Sequence, residues 1–331
     1  MRIRGYNDSA RADWDAFVVR SYAGTFLHTR RYLSYHQERF KDVSLIVEDD
    51  DGLTVGMFPA ALDPQNPRRV VSHPGITYGG LLHGGKLKGE RVVLALEMVC
   101  QNYAAAGYET LTYKAVPYIY HRPPAADDLY ALFRLGGVRY RCDLSCAIDL
   151  QHRGSTSVRR IRSLEKARKR GVIVREGVEL AGLFWPILEE NLARKHGLKP
   201  VHTLEEILLL RSRFPVNIAF VVAFVGDEAV AGVTLYETDI VSHAQYIGSS
   251  LQGQANAALD ATFDYCIKRA SGNGRRYFDF GVSTVEEGRV LNTGLDSFKS
   301  EFGGGGVTHE FYRINLLAAD LSALKTDAAN D

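Results

Sequence analysis

Cysteine is scarce in this sequence of 331 residues, which has only Cys100, Cys142, Cys146 and Cys266. Four scattered cysteines are too few for a disulfide framework in a chain of this size. Cys142 and Cys146 have the spacing of half a zinc site, but no second pair of ligands lies nearby. We therefore predict no metal site.

The sequence also lacks an excess of charge and a long apolar run. Lysine and arginine total 40, and aspartate and glutamate total 39. The molecule as a whole is therefore not attracted to DNA or to an anionic membrane, and any phosphate binding must be local. The longest apolar runs, such as residues 218–225, have strand length and are too short to cross a membrane. Because the N-terminus leads into polar residues and not an apolar signal core, we expect a cytoplasmic protein.

The second half of the sequence repeats the pattern of the first. The same offset of 174 residues separates His28-Thr29 from His202-Thr203 and Arg39-Phe40 from Arg213-Phe214. Each half reads as two helices, a hairpin of strands, another strand, a helix, a strand and a helix. A chance alignment is the alternative to a duplicated domain.

This order predicts a mixed α/β (α+β) fold in which each half has a largely antiparallel sheet flanked by helices. We predict two tandem domains, over residues 1–150 and 176–317. A basic helical linker over 151–175 joins them, and a flexible tail over 318–331 follows.

The linker contains the run from Ser157 to Gly171, where cations surround apolar residues at helical spacing. One interpretation is a solvated helix that bridges the domains. The other is a clamp for the phosphates of a substrate, formed by Arg159, Arg160 and Arg162, because guanidinium groups pair well with phosphate oxygens. Pockets are also frequent where domains meet.

The segment 277–306 combines several features of a substrate site. A short aromatic strand holds Asp279 between apolar neighbours and ends at Gly281, and glycine at a strand end lets a ligand approach the backbone. After a polar loop, the spacing predicts a helix with an apolar face and with Lys299 at its edge. The apolar residues of this face are Leu295, Phe298 and Phe302.

The order of these pieces resembles the closing third of the GNAT acyltransferase superfamily. The resemblance is to the tandem-domain branch of Fem-type aminoacyl-tRNA-dependent peptidyltransferases and related enzymes of surface-polysaccharide assembly. The matching pieces are Asp279-Phe280-Gly281, Leu291-Asn292-x-Gly294-Leu295, and Phe298-Lys299 ahead of Phe302-Gly303. The resemblance implies two GNAT-like domains, of which the first binds the acceptor and the second transfers an acyl group.

Transfer of an acyl group to an amine needs a base and a donor to the oxyanion, but no covalent nucleophile. The sequence has no G-x-S-x-G motif, which disfavours nucleophilic catalysis. Alternation along strand 242–246 predicts that His243 and Gln245 share one face and that Ala244 and Tyr246 share the other.

The resemblance implies that this strand and the strand of Asp279 splay apart and form the floor of an acyl cleft. On that basis Asp279 is the first candidate for base or amine anchor, and His243 is the second. The alternatives are a structural carboxylate and a core histidine. Lys299 matches the lysine that the branch places near the donor carbonyl, so we predict that it stabilises the oxyanion. An ordinary surface lysine is the alternative.

The candidate donor site is the turn over residues 248–255, because backbone N–H groups at a helix start can hold a pyrophosphate. We expect acyl-CoA as a co-substrate and no tightly bound cofactor. The segment Gln252 to Ala255 keeps only part of the superfamily's CoA-binding loop, a departure shared with Fem-type enzymes that use aminoacyl-tRNA. The predicted donor-binding residues are Gly248, Ser250, Gln252, Gly253, Gln254 and Phe298.

A cluster of tyrosines and cations in the first half suits a sugar or diphosphate acceptor better than an apolar one. A proline-rich turn is the alternative interpretation. The predicted acceptor-binding residues are Tyr78, Lys114, Tyr120, His121, Arg159, Arg160, Arg162, Gln245 and Ser283.

Together these expectations describe an N-acyltransferase in cell-envelope polysaccharide synthesis. It would move an acyl group from acyl-CoA to the amine of an amino sugar on a nucleotide or lipid carrier. One alternative is a Fem-type peptidyltransferase that takes charged tRNA and acts on a peptidoglycan precursor. The other is a non-catalytic module that binds the same ligands. The expected partners are small-molecule donor and acceptor, with tRNA in the first alternative and no DNA.

Overall fold

The structure, a computed structural model, describes residues 1–317. The predicted tail over 318–331 lies outside the described residues. Chain contacts divide the protein into two compact units. Unit 1 comprises Met1–Asp143, Glu287–Arg289 and the described chain from Thr308 onward. Unit 2 comprises Leu144–Glu286 and Val290–Val307.

The strands and helices are numbered in chain order. The strands are β1 (Arg2–Gly5), β2 (Leu45–Glu48), β3 (Thr54–Phe58), β4 (Ala61–Asp63), β5 (Asn66–Val71), β6 (Leu82–His83), β7 (Thr110–Lys114), β8 (Val138–Asp149), β9 (Val172–Glu176), β10 (Ile218–Val225), β11 (Glu228–Glu237), β12 (Val241–Ser249), β13 (Tyr277–Val282), β14 (Thr284–Val285), β15 (Val290–Leu291) and β16 (Gly305–Asn315). The α-helices are α1 (Arg11–Arg20), α2 (Arg30–Leu33), α3 (Glu90–Ala105), α4 (Asp127–Arg134), α5 (Val158–Lys169), α6 (Ala181–His196), α7 (Leu204–Arg213), α8 (Leu251–Ala255), α9 (Ala258–Gly272) and α10 (Thr293–Ser300). Short 3-10 turns lie at Asp8–Ala10, Phe26–His28, Ser34–Arg39, Tyr118–Tyr120 and Val178–Leu180.

Unit 1 has one sheet in the order β1-β2-β3-β6 and a second set of neighbours in the order β4-β5-β7-β16. Helix α3 supplies much of its core because apolar residues recur at helical spacing along one face. Val92, Leu96, Val99 and Tyr103 are each at most 1% exposed. They pack in one cluster with residues of β2, β3, β5 and β7.

Unit 2 is built on the strand order β8-β13-β12-β11-β10-β9. All neighbours in it are antiparallel except β12 and β13. One face packs its apolar residues against Phe263 and Ile267 of α9. On the other face α6 approaches the backbone closely, since a Cβ added at Gly232 would lie 2.4 Å from the ring of Phe184.

The structure confirms the repeat of the fold. When β6 and α8 are set aside, the order β1-α1-α2-β2-β3-β4-β5-α3-β7 returns as β9-α6-α7-β10-β11-β12-α9-β13, with β3 and β4 together matching β11. A side-chain contact is repeated as well. The rings of His28 and Tyr78 are 5.7 Å apart, and those of His202 and Tyr246 are 5.8 Å apart.

Each sheet contains a strand from the other half of the sequence. In unit 2, residues 145–149 of β8 pair with β13. In unit 1, residues 311–315 of β16 pair with β7. The units therefore depart from the ranges 1–150 and 176–317, and the helix and strand within the predicted linker 151–175 belong to unit 2.

Candidate active site

The two parallel strands of unit 2 separate immediately after a histidine and an aspartate. Strands β12 and β13 pair over Val241–His243 and Tyr277–Asp279, and His243 and Asp279 are the last partners. Beyond this point β12 continues beside β11 to Ser249, whereas β13 has an irregularity against β8. The predicted splay of these strands is therefore confirmed.

Gly281 lies at this irregularity and allows the backbone to turn there. Its φ of +77° falls in the left-handed region that favours glycine. A Cβ added at this position would lie 3.4 Å from Cε1 of His243. The chain thus places the Gly281 backbone directly against the imidazole.

Asp279 and His243 form a hydrogen-bonded dyad. His243 Nδ1 lies 2.9 Å from Asp279 Oδ2. The other oxygen, Oδ1, accepts the Gly281 N–H at 2.8 Å and the hydroxyl of Ser145. An ionised carboxylate only accepts hydrogen bonds, so this contact favours a proton on Nδ1, and in the neutral ring Nε2 is then the acceptor.

The two residues of the dyad differ in their exposure to solvent. The side chain of His243 is 13% exposed and that of Asp279 is 0% exposed. A substrate can therefore reach the imidazole, whereas the carboxylate lies behind it. His243 is thus the more accessible of the two candidates for the base.

Lys299 brings a cation to the same glycine. Helix α10 begins at the cap Asn292 and points the Lys299 ammonium at two carbonyl oxygens, of Gly281 at 2.8 Å and of Val282 at 2.7 Å. The residue is 2% exposed, and burial lowers the pKa of Lys299 to about 8 although the charge of Asp279 acts to raise it.

The interpretation of Lys299 as a surface lysine is therefore wrong. The predicted apolar face of its helix also needs correction, because Leu295 is 38% exposed while Lys299 is buried. Helix α10 turns its lysine inward because the carbonyl groups at the end of β13 receive the ammonium.

A β-bulge at Gln245 changes which side chains of β12 share a face. His243 lies opposite Tyr236 and Tyr246 lies opposite Thr234, with the register shift between them. Tyr236 and Thr234 are two residues apart on β11 and so point to the same face. The predicted placement of Tyr246 on the face opposite His243 is therefore wrong, because simple alternation fails at a bulge.

The predicted donor turn uses its polar groups internally. The hydroxyl of Ser250 accepts the N–H of Gly253 at 3.1 Å, and the carbonyl of Ser250 accepts the N–H of Gln254 at 3.0 Å. A Cβ added at Gly253 would lie 2.3 Å from the carbonyl oxygen of Val230. Gly253 therefore permits close packing on β11, as Gly248 permits packing against Leu188 and Phe184. Gln252 is exposed.

Arg160 and Phe298 take part in packing within unit 2. The Arg160 guanidinium donates to Asp260 at 2.6 Å and lies 2.9 Å from Glu301. It also covers the ring of Phe298, 4.7 Å from the ring centre. Because Arg160 is 4% exposed and paired with two carboxylates, its assignment to a phosphate clamp is wrong.

The other two members of the predicted clamp remain on the surface. Arg159 is 72% exposed at its side chain and Arg162 is exposed. The structure therefore separates the three arginines by role: one ties helices together, and two face solvent.

The predicted acceptor residues of unit 1 are buried, except for His121, which is partly buried. The rings of Tyr78 and Tyr120 have centres 4.6 Å apart and are inclined to each other by 45°. Lys114 donates to the carbonyls of His73 and Ile76, and burial lowers the pKa of Lys114 to about 7. His121 Nε2 lies 3.0 Å from the carbonyl of Val116. The structure brings the tyrosines together and directs the lysine and the histidine to backbone oxygens.

One buried serine contacts the dyad, and a second lies just past the end of β13. Ser283, 1% exposed, donates its N–H to the carbonyl of Leu144 at 2.7 Å, and its hydroxyl has no hydrogen-bond partner within residues 1–317. Ser145 is fully buried against Asp279. Sequence reasoning missed Ser145 because it lies 134 residues before its partner, within the range predicted as the first domain.

Over the described part of the chain, no cluster of histidine, cysteine, aspartate or glutamate side chains could hold a metal ion. Helices in the same residues all fall short of the length and apolar character that a membrane span requires.

Comparison with solved structures identifies the fold. FemX aligns with 95% of this chain and 97% of its own, at 13% identity and a TM-score of 0.67. L-PGS from Bacillus licheniformis covers 85% of this chain and 90% of its own, at 13% identity and a TM-score of 0.57. A tandem GNAT protein from the clavulanic acid biosynthesis pathway covers 96% and 99%, at 10% identity and a TM-score of 0.53.

These likenesses show that the chain has a tandem GNAT fold of the Fem-like kind, as the sequence predicted. No protein-family model matches the sequence, and no curated protein matches it significantly.

Proposed function

We propose that unit 2 catalyses transfer of an acyl group to an amine, with His243 as the general base. The observation that carries this proposal is the dyad at the point where β12 and β13 separate. The Lys299 ammonium bonds the carbonyls of Gly281 and Val282, two and three residues after Asp279. An imidazole held by a carboxylate at Nδ1 leaves Nε2 to accept a proton from a substrate.

The reaction follows from these positions. Nε2 of His243 takes a proton from the substrate ammonium, and the neutral amine attacks the donor carbonyl to form a C–N bond. The tetrahedral oxyanion then collapses, and the bond to the leaving sulfur or oxygen breaks. The imidazolium returns its proton to that leaving group. The neutral imidazole then takes the second proton from the attacking nitrogen, which leaves a neutral amide, and releases that proton to solvent. Asp279 fixes the ring and stabilises its positive charge.

Lys299 would stabilise the oxyanion. An ammonium has three N–H donors, and two are directed to the carbonyls of Gly281 and Val282. We propose that the third donates to the oxyanion. Because the Lys299 ammonium is buried, water screens its charge only weakly. Its charge therefore stabilises the negative charge on the oxyanion more than it would in water.

The acceptor that we propose is the amine of an amino sugar, on a nucleotide or lipid carrier, and the donor is acyl-CoA. The choice of an amino sugar comes from the sequence resemblance, since Tyr78 and Tyr120 are each 3% exposed and present no ring face to a ligand. The cell-envelope role is proposed on the sequence resemblance.

A second candidate donor is aminoacyl-tRNA, as in a Fem-type peptidyltransferase. One observation favours it: the N–H groups of Gly253 and Gln254, which a CoA-binding loop would direct at pyrophosphate, are bonded to Ser250. The likeness to FemX supports the same alternative at the level of fold.

A donor panel separates these readings. Purified protein is incubated with UDP-linked amino sugars and one of two donors. With acyl-CoA the readout is free thiol. With charged tRNA the readout is release of the amino acid from the tRNA. Thiol release that depends on the amino sugar supports the first proposal, and transfer from tRNA alone supports the second. If neither donor is consumed while an amino sugar still binds by calorimetry, the protein is a non-catalytic module and the proposal is wrong.

A further inference from the structure

Helix α5 carries a dense set of cations that the proposed reaction does not use. Within the helix and its C-cap, one exposed carboxylate, of Glu165, stands against six exposed cations. These are Arg159, Arg162, Lys166, Arg168, Lys169 and Arg170. A chain with balanced overall charge thus concentrates positive charge on one element.

Two aliphatic side chains lie among these cations. Val158 is 62% exposed and Ile161 is 46% exposed. Residues three apart are neighbours on a helix surface, so the two form a small apolar patch. Exposure of this patch to water is unfavourable, and contact with an apolar phase would lower its free energy.

The orientation of α5 is fixed by its buried side. Arg160 pairs with Asp260 of α9 and with Glu301. Ala167, two turns along, is 1% exposed. Because these contacts hold the inner face, the helix cannot roll to bury Val158 and Ile161, and the mixed cationic and aliphatic face stays outward.

We propose that α5 docks on the surface of an anionic phospholipid bilayer. Val158 and Ile161 enter the headgroup region, and the surrounding lysines and arginines pair with lipid phosphates. A helix with cations around a few aliphatic residues has this preference because each cation near an anionic surface and each buried methylene adds to the affinity.

The exposed aliphatics favour a bilayer over a nucleic acid. A phosphate backbone binds cations, but it has no apolar surface for Val158 and Ile161 to contact. Stacking of unpaired bases would need aromatic side chains, and α5 has none. The docking concerns binding alone and does not rest on the proposed acyl transfer.

The test is cosedimentation of the full chain with vesicles of phosphatidylcholine, with or without phosphatidylglycerol. We expect binding only to the anionic vesicles, weakening as salt rises. Exchange of Arg162, Lys166 and Lys169 for glutamate should weaken it by at least about 100-fold. A matched triple exchange of the exposed Lys86, Lys88 and Arg91 of unit 1 for glutamate changes the net charge equally and should have little effect.

The aliphatic patch is tested by V158N combined with I161N, which leaves every charge in place. This pair should weaken vesicle binding by about tenfold. All variants retain Arg160, and their thermal unfolding is compared with the parent to establish folding. Three results would overturn the proposal: no binding to anionic vesicles, equal loss in the matched triple variant, or RNA binding that depends on α5 while V158N/I161N leaves vesicle binding unchanged.

Discussion

His243 Nδ1 lies 2.9 Å from a carboxylate oxygen of Asp279 at the last position where β12 and β13 pair. The strands diverge beyond this pair, so the ring stands at the gap and the carboxylate lies behind it. The two residues thus differ in exposure, and substitutions can separate the base from the group that orients it.

Exchange of His243 for glutamine should lower kcat by about 10²- to 10⁴-fold, because no other exposed group of the dyad accepts the proton. Asp279→Asn should lower kcat while leaving KM for the donor near its original value, because the ring loses its fixed orientation. Steady-state kinetics with the identified substrates measures both effects. Near-normal rates in a folded His243→Gln protein would exclude His243 as the base.

The reaction should slow above about pH 8. Burial lowers the pKa of Lys299 to about 8, so its positive charge is present below that pH and is lost as pH rises through it. Without the charge the oxyanion is less stable. The Lys299→Arg variant keeps its charge and should lose this alkaline fall in kcat, whereas Lys299→Met should be slow at every pH. An unchanged alkaline fall in the folded arginine variant would assign it to another group.

Arg160 and Arg159 should differ sharply in their effect on stability. Arg160→Met leaves Asp260 and Glu301 near an uncharged side chain in a buried site, and we expect a loss of about 3–5 kcal/mol in the free energy of unfolding. Arg159→Met removes an exposed cation and should change it by less than about 0.5 kcal/mol. Urea denaturation of the two variants measures this. Equal stabilities would show that Arg160 is not a structural link.

Stability should rise with pH through a contribution from Lys114. Burial lowers the pKa of Lys114 to about 7, whereas an unfolded lysine titrates near about 10.4. Between these values the unfolded chain binds a proton that the folded chain lacks. The free energy of unfolding therefore increases with pH, by at most about 1.4 kcal/mol per unit.

Lys114→Met removes this contribution. Urea denaturation of the parent and the variant between about pH 7 and about pH 9 compares the two slopes, and other titrating groups cancel in the difference. The variant should show the smaller increase. A slope equal to that of the parent would mean that the folded protein holds Lys114 protonated.

The sequence predicted the repeat because both copies depend on the same local signals. These signals are the helical and strand spacing of apolar residues and the residue pairs at a constant offset. Both can be recognised in the sequence alone, without knowledge of tertiary contacts. The proximity of Asp279 and His243 was predicted from the family resemblance, and the hydrogen bond confirms it. Their catalytic roles remain a proposal.

Other features depend on contacts that local patterns do not contain. The bulge at Gln245 arises from the register with β11, so alternation along β12 alone misplaced Tyr246. The buried role of Arg160 depends on carboxylates 100 and 141 residues further along the chain. A helix of many cations gives no local sign of which one faces inward.

Each sheet contains a strand from the other half of the sequence, and this affects when the sheets can form during synthesis. Strand β7 receives its antiparallel partner from residues 311–315, so a ribosome must synthesise those residues before this sheet of unit 1 is complete. An expression fragment that stops near residue 150 would carry an unsatisfied edge on β7, prone to associate with other chains. Dividing this gene at its midpoint would thus yield two incomplete products and not two working modules.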